Sequence, residues 1–383
     1  MNDESRHCLC IPATPEDLPI KILDVNIVGN HVAGQFAVLF QQTLDFSTDA
    51  SLALSRAETL LLYAWQELNT GKWSDVNFNW HKLYAAVSWL KAVATFRCRT
   101  TGESSTPPEV WLDIIKICDM GHLMGGDVWE GILLRTISAA EAKISELSPA
   151  VFAEPQRKKR TETVTICDVL HPIEELDRPS LAHFQAAFLR LKRPLMLKGI
   201  LETWPALSKW SPEYVRSICG SRTVPVELGK RYTDEDWGQE LMTISAFIDK
   251  YIYMLDNPDK KIAYLAQHDL LSQAPLLRDD ISMPDYIAFA GDDDPDMNAW
   301  FGPEGTVSPL HHDPKDNFLC QVFGEKYVRL YEESESEKVY PHESTMLFNT
   351  SQVDVEDPDL ERFPKFAEAV FSDCILRPEK LAG

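Results

Sequence analysis

Along the first 150 residues the apolar positions recur with a helical period. Leu61, Ala64, Trp65 and Leu68 fall at i, i+3, i+4 and i+7, and the run stops at Gly71; Leu83, Ala86, Val87, Leu90 and Ala94 repeat the stripe. A third segment opens at Pro107-Pro108, carries Trp111, Ile114, Ile115 and Cys118 on one face, and closes near Gly125-Gly126. Proline suits the first helical turn and glycine the position just past the last one. A fourth segment holds Trp129, Ile132, Leu133, Thr136 and Ala140. Amphipathic helices joined by short polar turns predict a bundle or a stack of helix pairs. Their aromatic stripes read as core.

Beyond a basic linker the texture changes. Leu181 to Leu191 predicts one more helix, PLMLKG (194–199) a short strand ended by Gly199, and Ser211-Pro212-Glu213 the cap and first turn of a helix that stops at Cys219-Gly220. TVPVELG (223–229) alternates as a strand does. From residue 262 short strands dominate: IAYLAQ, MNAWFG, TVSPLHH, NFLCQVFG and EKYVRLY, separated by turn residues. Closely spaced short strands point to a double-sheet jelly roll or a barrel. The predicted class is therefore α+β, with an all-helical domain over 1–155, a basic linker over 156–165, and a β-rich domain over 166–383.

The charge balance, 37 Lys+Arg against 59 Asp+Glu, gives −22 and argues against a phosphate backbone as a direct partner. Eight cysteines lie scattered without a CxxC, which fits a reducing compartment. The polar N-terminus has no apolar signal core, and no 18-residue apolar run predicts a membrane span. Arg157-Lys158-Lys159-Arg160 reads either as a solvated linker or as a nuclear-import patch. GDDDPD (291–296) lacks the spacing of a calcium loop, and no dinucleotide, P-loop or GxSxG signature occurs.

One constellation carries chemistry. If the segment around His311 is a strand, His311 and Asp313 share a face while His312 points away. An imidazole and a carboxylate side by side are two thirds of the 2-His-1-carboxylate set that holds non-heme Fe(II); alternatively they are a polar loop pair. Lys326 adds weight to the first reading, because in EKYVRLY it shares a side with Val328 and Leu330. A lysine on an apolar face needs an anion. A carboxylate co-substrate would be that anion, an internal acid or a side chain reaching to water being the alternatives. Asn317, Ser308 and Tyr264 would add neutral hydrogen-bond groups around the same carboxylate.

The run NAWFGPEGTVSPLHHDPKDNFLCQVFGEKYVRLY, with YLAQHDLL before it and Tyr340 to Ala369 after it, closely resembles the JmjC oxygenases across most of 180–378. The resemblance implies a cupin-like double-stranded β-helix in which His311 and Asp313 match the first two iron ligands. It implies that Lys326 pairs with the distal carboxylate of 2-oxoglutarate, that Tyr264, Ser308 and Asn317 surround it, and that Glu227 and Trp300 hold a cationic substrate side chain. 2-oxoglutarate and O2 would be consumed at Fe(II) in oxidising protein side chains. Arginine hydroxylation, histone-tail demethylation of methyl-lysine and histone-tail proteolysis are all implied, with the nucleus as the expected location and the cytoplasm as a second one. The third ligand of that family is a histidine in a Trp-His pair near the C-terminus. This chain follows the pattern to Cys374-Ile375-Leu376 and Pro378, then reads Glu379 to Gly383, and after Asp313 its only histidine is His342. The expectation is a jelly roll lacking its closing strands and impaired as an enzyme, through an alternative transcript end or a gene-model error. The second reading is a non-catalytic form acting through the helical domain.

Overall fold

The computed structural model describes residues 3–12, 17–19, 21–100, 106–147, 168–229, 231–233, 237–254, 261–289, 295–343, 347–378 and 380–382. The basic run Arg157–Arg160 and the turn at 291–294 lie outside them. The chain groups into two compact units. One comprises Met1–Ala153 with Cys219–Thr223 and Thr243–Ser245; the other comprises Glu154–Ile218, Val224–Met242 and Ala246–Gly383.

The first unit is built from α1 (Asp3–Cys8), α2 (Val25–Leu44), α3 (Ala50–Leu68), α4 (Phe78–Arg99), α5 (Pro108–Gly125) and α6 (Ile132–Leu147). Three of these starts use an Asx cap. The side chains of Asp24, Asp49 and Asn77 accept from the amides of Asn26, Ser51 and Asn79, satisfying donors that a helix N-terminus leaves open. Helix α5 begins after Pro107 and ends at Gly126, whose φ of 71° only glycine adopts cheaply. Helix α4 is buried on nearly every side from Leu83 to Arg97, so its apolar positions form a cylinder rather than the expected stripe. In α3 the buried face is Ala53, Ala57, Leu60, Ala64 and Leu68, and Trp65 is 41% exposed. The predicted stripe was thus rotated, because the small alanines and not the tryptophan face the core. Close approach of α4 and α5 is made possible by Gly121 and Gly125. A Cβ on Gly125 would lie 2.5 Å from the His81 carbonyl oxygen and 2.6 Å from the Ala85 Cβ. Within the same unit Asp119, fully buried, receives Arg222 Nε at 2.9 Å and the Thr223 amide at 2.7 Å.

The second unit carries β1 (Glu175–Asp177), β2 (Met196–Lys198), β3 (Thr223–Leu228), β4 (Gly238–Thr243), β5 (Ala263–His268), β6 (Ala299–Phe301), β7 (Leu319–Cys320), β8 (Lys326–Tyr331), β9 (Phe371–Leu376) and β10 (Lys380–Ala382). They form a sheet of order β1-β2-β10-β7, a sheet of order β4-β3-β5-β6, and a β8-β9 ribbon. Phe184, Phe188, Leu197, Leu201, Trp204 and Tyr286 make one core cluster. Asp373 in β9 is fully buried and accepts from the amides of Leu170 and His171 and from the Tyr327 hydroxyl.

Several predicted elements change. The helix at Leu181 is α7 (Leu181–Ala187), capped by Ser180, and it breaks at Phe188 before a short 3-10 turn. NFLCQVFG yields only the two residues of β7, and TVSPLHH is no strand at all. Pro309 interrupts it, since proline cannot donate to a ladder, and only His311 bridges, to Thr350. Strands β1, β4, β9 and β10 have no counterpart among the predicted ones. At three residues each, β1 and β10 are too short to display alternation.

Candidate metal centre

The segment from Pro309 to Asn317 is loop, yet it brings His311 and Asp313 together as a strand would. Nε2 of His311 lies 4.0 Å from Oδ1 of Asp313, with the two side chains 35% and 44% exposed. Nδ1 of His311 is 2.7 Å from the Pro309 carbonyl oxygen, so the tautomer that donates there leaves the Nε2 lone pair free. The other carboxylate oxygen of Asp313 receives the Asn317 amide at 3.2 Å. An orienting bond behind each donor is the usual second layer of a metal site. Residue types and arrangement thus fit a first-row divalent ion, for which they provide two of three protein donors. Among the described residues no third His, Cys, Asp or Glu joins them as a cluster. The His342 amide donates to the carbonyl of Thr350, the residue with which His311 forms its bridge, at 2.8 Å.

Lys326 opens β8. Its ammonium donates to the Tyr264 hydroxyl at 2.8 Å and lies 5.5 Å from that ring's centre. Burial holds it below the ordinary lysine range. Among the described residues no carboxylate pairs with it. The Tyr264 hydroxyl also shares a hydrogen bond with Ser308, and burial, reinforced by the Glu227 carboxylate, raises its pKa. Lys326, Tyr264 and Ser308 therefore form one chain leading to the His311 loop, while Asn317 is placed on Asp313 and not on this chain.

Glu227 in β3 pairs with Tyr264 across the β3–β5 ladder, and Leu265 pairs with Phe301 in β6. By strand alternation Glu227, Tyr264, Gly302 and Trp300 share one face. Gly302 lets the tyrosine sit close: a Cβ there would be 2.6 Å from the Tyr264 ring. Burial raises the Glu227 pKa, opposed by the Trp237 indole, whose Nε1 stands 3.5 Å from Oε2. Trp300 is 42% exposed. A carboxylate and an open aromatic ring on one sheet face suit a cation.

Sequence reasoning missed Tyr232, Asn349 and Thr350. Tyr232 donates to or accepts from Thr350 Oγ1 at 3.1 Å, and its raised pKa owes first to burial, then to Glu227 and Asp313. The flanking text GKRYTDED is polar and aperiodic, so nothing in it distinguished this tyrosine from a loop residue.

A cupin-like domain model matches residues 181–379. The chain is 38% identical over 380 residues to "Lysine-specific demethylase 8" of Danio rerio, covering 93% of this chain and 92% of that protein. It is 35% identical over 349 residues to "Lysine-specific demethylase JMJ30" of Arabidopsis thaliana, covering 84% and 79%. It is 27% identical over 233 residues to "Bifunctional peptidase and (3S)-lysyl hydroxylase JMJD7" of Homo sapiens, covering 53% and 74%.

Proposed function

This chain belongs to the cupin-like JmjC family of 2-oxoglutarate oxygenases, and on that premise we propose that it oxidises a cationic protein side chain, arginine or methyl-lysine, using Fe(II), 2-oxoglutarate and O2. One observation carries the reading: Lys326 is half-buried beside the His311 loop with a neutral hydroxyl as its partner. A half-buried ammonium with no carboxylate partner among the described residues is costly, and the carboxylate of a dicarboxylic co-substrate would remove that cost.

In this reading His311 and Asp313 would hold the iron, with Pro309 and Asn317 fixing their orientation. Bound there, Fe(II) with 2-oxoglutarate and O2 supplies oxidation of a C–H bond, releasing succinate and CO2. Lys326 fixes one end of the co-substrate, and Tyr264, taking the lysine proton-side hydrogen bond, orients that ammonium. Glu227 receives the cation of the substrate and Trp300 covers it. Binding a cation returns the Glu227 carboxyl toward its ionised form. The names of relatives, two demethylases and a lysyl hydroxylase, support a protein substrate. No helix among the described residues is long and apolar enough to cross a membrane. Nuclear location is proposed from the Arg157–Arg160 run and the substrate class.

The test is mass spectrometry of arginine- and methyl-lysine-containing peptides incubated with the chain, Fe(II) and 2-oxoglutarate. Gain of an oxygen on arginine means hydroxylation; loss of a methyl group from lysine means demethylation. Both should vanish in Asp313→Ala, and turnover unchanged by that substitution would reject the site. A chain that binds Fe(II) and 2-oxoglutarate but turns over neither peptide class would shift the function to the helical unit.

A further inference from the structure

We propose that Asn349 and Thr350 are positioning residues for His311, an inference that rests on the metal reading above. The His311 imidazole is too exposed for packing to hold it, and its segment lacks a regular strand ladder. What holds it is a clasp from one tripeptide. The Ser351 amide donates to the Leu310 carbonyl at 2.8 Å, and the His312 amide donates to the Asn349 carbonyl at 2.9 Å. The Asn349 side-chain amide then donates back to the His312 carbonyl at 3.0 Å. Peptide groups on both sides of His311 are thereby fixed, and the direction of the imidazole follows from them.

The clasp is itself braced. Thr350 is 1% exposed, and its hydroxyl bonds Asn349 Oδ1 at 3.3 Å and the Tyr232 hydroxyl at 3.1 Å. Beyond it, Arg231 Nη1 donates to Asp354 at 2.5 Å and Nη2 bonds Glu356, while the Val353 amide donates to Ser351 Oγ at 2.9 Å. A buried hydroxyl with two side-chain partners sets the Asn349 amide in the orientation that reaches His312. Removing that amide frees the His312 carbonyl and lets the loop that spaces His311 from Asp313 relax. Metal affinity, which depends on the donors being held in place beforehand, should then fall without loss of the fold.

The experiment is Mn(II) titration of the full chain, followed by loss of the free-ion electron paramagnetic resonance signal, with far-UV circular dichroism on each variant. Asn349→Ala should bind Mn(II) about 10–100-fold more weakly, the usual effect of losing an outer-layer partner, with its far-UV spectrum unchanged. Thr350→Val, which keeps the volume and loses the hydroxyl, should weaken binding in the same direction, and Thr350→Ser should restore it. Asp313→Ala should abolish it. If Asp313→Ala abolishes binding while Asn349→Ala and Thr350→Val bind as the unchanged chain does, the positioning role fails and the metal reading stands. If Asp313→Ala binds normally, or the unchanged chain binds no Mn(II), the metal reading fails and takes the inference with it. Should Asn349→Ala unfold, the Val-against-Ser comparison at Thr350 decides alone.

Discussion

Replacing Lys326 by methionine should move stability and co-substrate binding in opposite directions. The lysine is half-buried, no carboxylate pairs with it among the described residues, and its hydrogen bond goes to the neutral Tyr264 hydroxyl. Its folded pKa lies below the unfolded one, so its favourable contribution exists only above the unfolded value of about 10.4 and is lost as pH falls through the folded value. At neutral pH the free protein therefore carries the whole penalty. Methionine keeps the length and removes the charge, as in other buried ionic groups whose apolar replacements gain roughly 1–4 kcal/mol. Taking the low end, because the side chain is partly accessible, gives about 1 kcal/mol, or about 2–4 °C in melting temperature for a unit of this size. Binding should go the other way. Loss of one partner of a buried charge pair costs roughly 2 kcal/mol or more, about 30-fold in affinity. Scanning fluorimetry with and without 2-oxoglutarate reads both effects. The variant should start higher than the unchanged protein, show little ligand-induced shift, and lose its advantage as pH approaches 10. A variant that melts lower yet keeps the full ligand shift would refute the reasoning, because Lys326 would then be a structural residue with an internal partner.

Other sites give independent tests. Gly125→Ala forces a methyl group to 2.5 Å from the His81 carbonyl oxygen and should lose about 1–3 kcal/mol in chemical denaturation, whereas Gly34→Ala, with nothing within 4 Å, should gain up to about 1 kcal/mol. Asp119→Ala leaves the Arg222 guanidinium, 4% exposed, without the carboxylate it is paired with and should lose roughly 3–5 kcal/mol by the same measurement. Burial raises the Glu227 pKa, so affinity for an arginine peptide should fall as pH drops through that raised value and the carboxylate is neutralised. Fluorescence polarisation followed on the acid side of neutrality should show this slope, and Glu227→Gln should flatten it.

The helical half was largely legible because its signals are local. Proline at the start of α5 and Gly126 past its end marked the boundaries within a residue. The orientation of α3 was not legible, since an alanine face packs more closely than a tryptophan does, and only the neighbouring helix decides which is wanted. In the second unit the longer strands β3, β5 and β8 alternate visibly, whereas β10 has three residues and exists through its pairing with β2 and β7. His311 and Asp313 come within 4.0 Å of each other, but not by the expected local route. A strand was expected, and a loop clamped by a distant tripeptide holds them instead. That tripeptide, Asn349 to Ser351, has no pattern that points to residue 311, because the contact is tertiary.

Asp373 reaches back 203 residues to the Leu170 amide, and this has a bearing on how the protein is made. In the first unit the helices from α3 to α6 pack chiefly against their sequence neighbours, so they can associate while the ribosome is still translating. The β-rich unit cannot seal its 168–173 segment until residue 373 has left the exit tunnel. At roughly 5–20 residues per second, that segment waits on the order of 10–40 s with its partner unmade. Long-range pairings of this kind are slow to form and leave strand edges open meanwhile. Chaperone dependence during synthesis should therefore fall chiefly on the β-rich half.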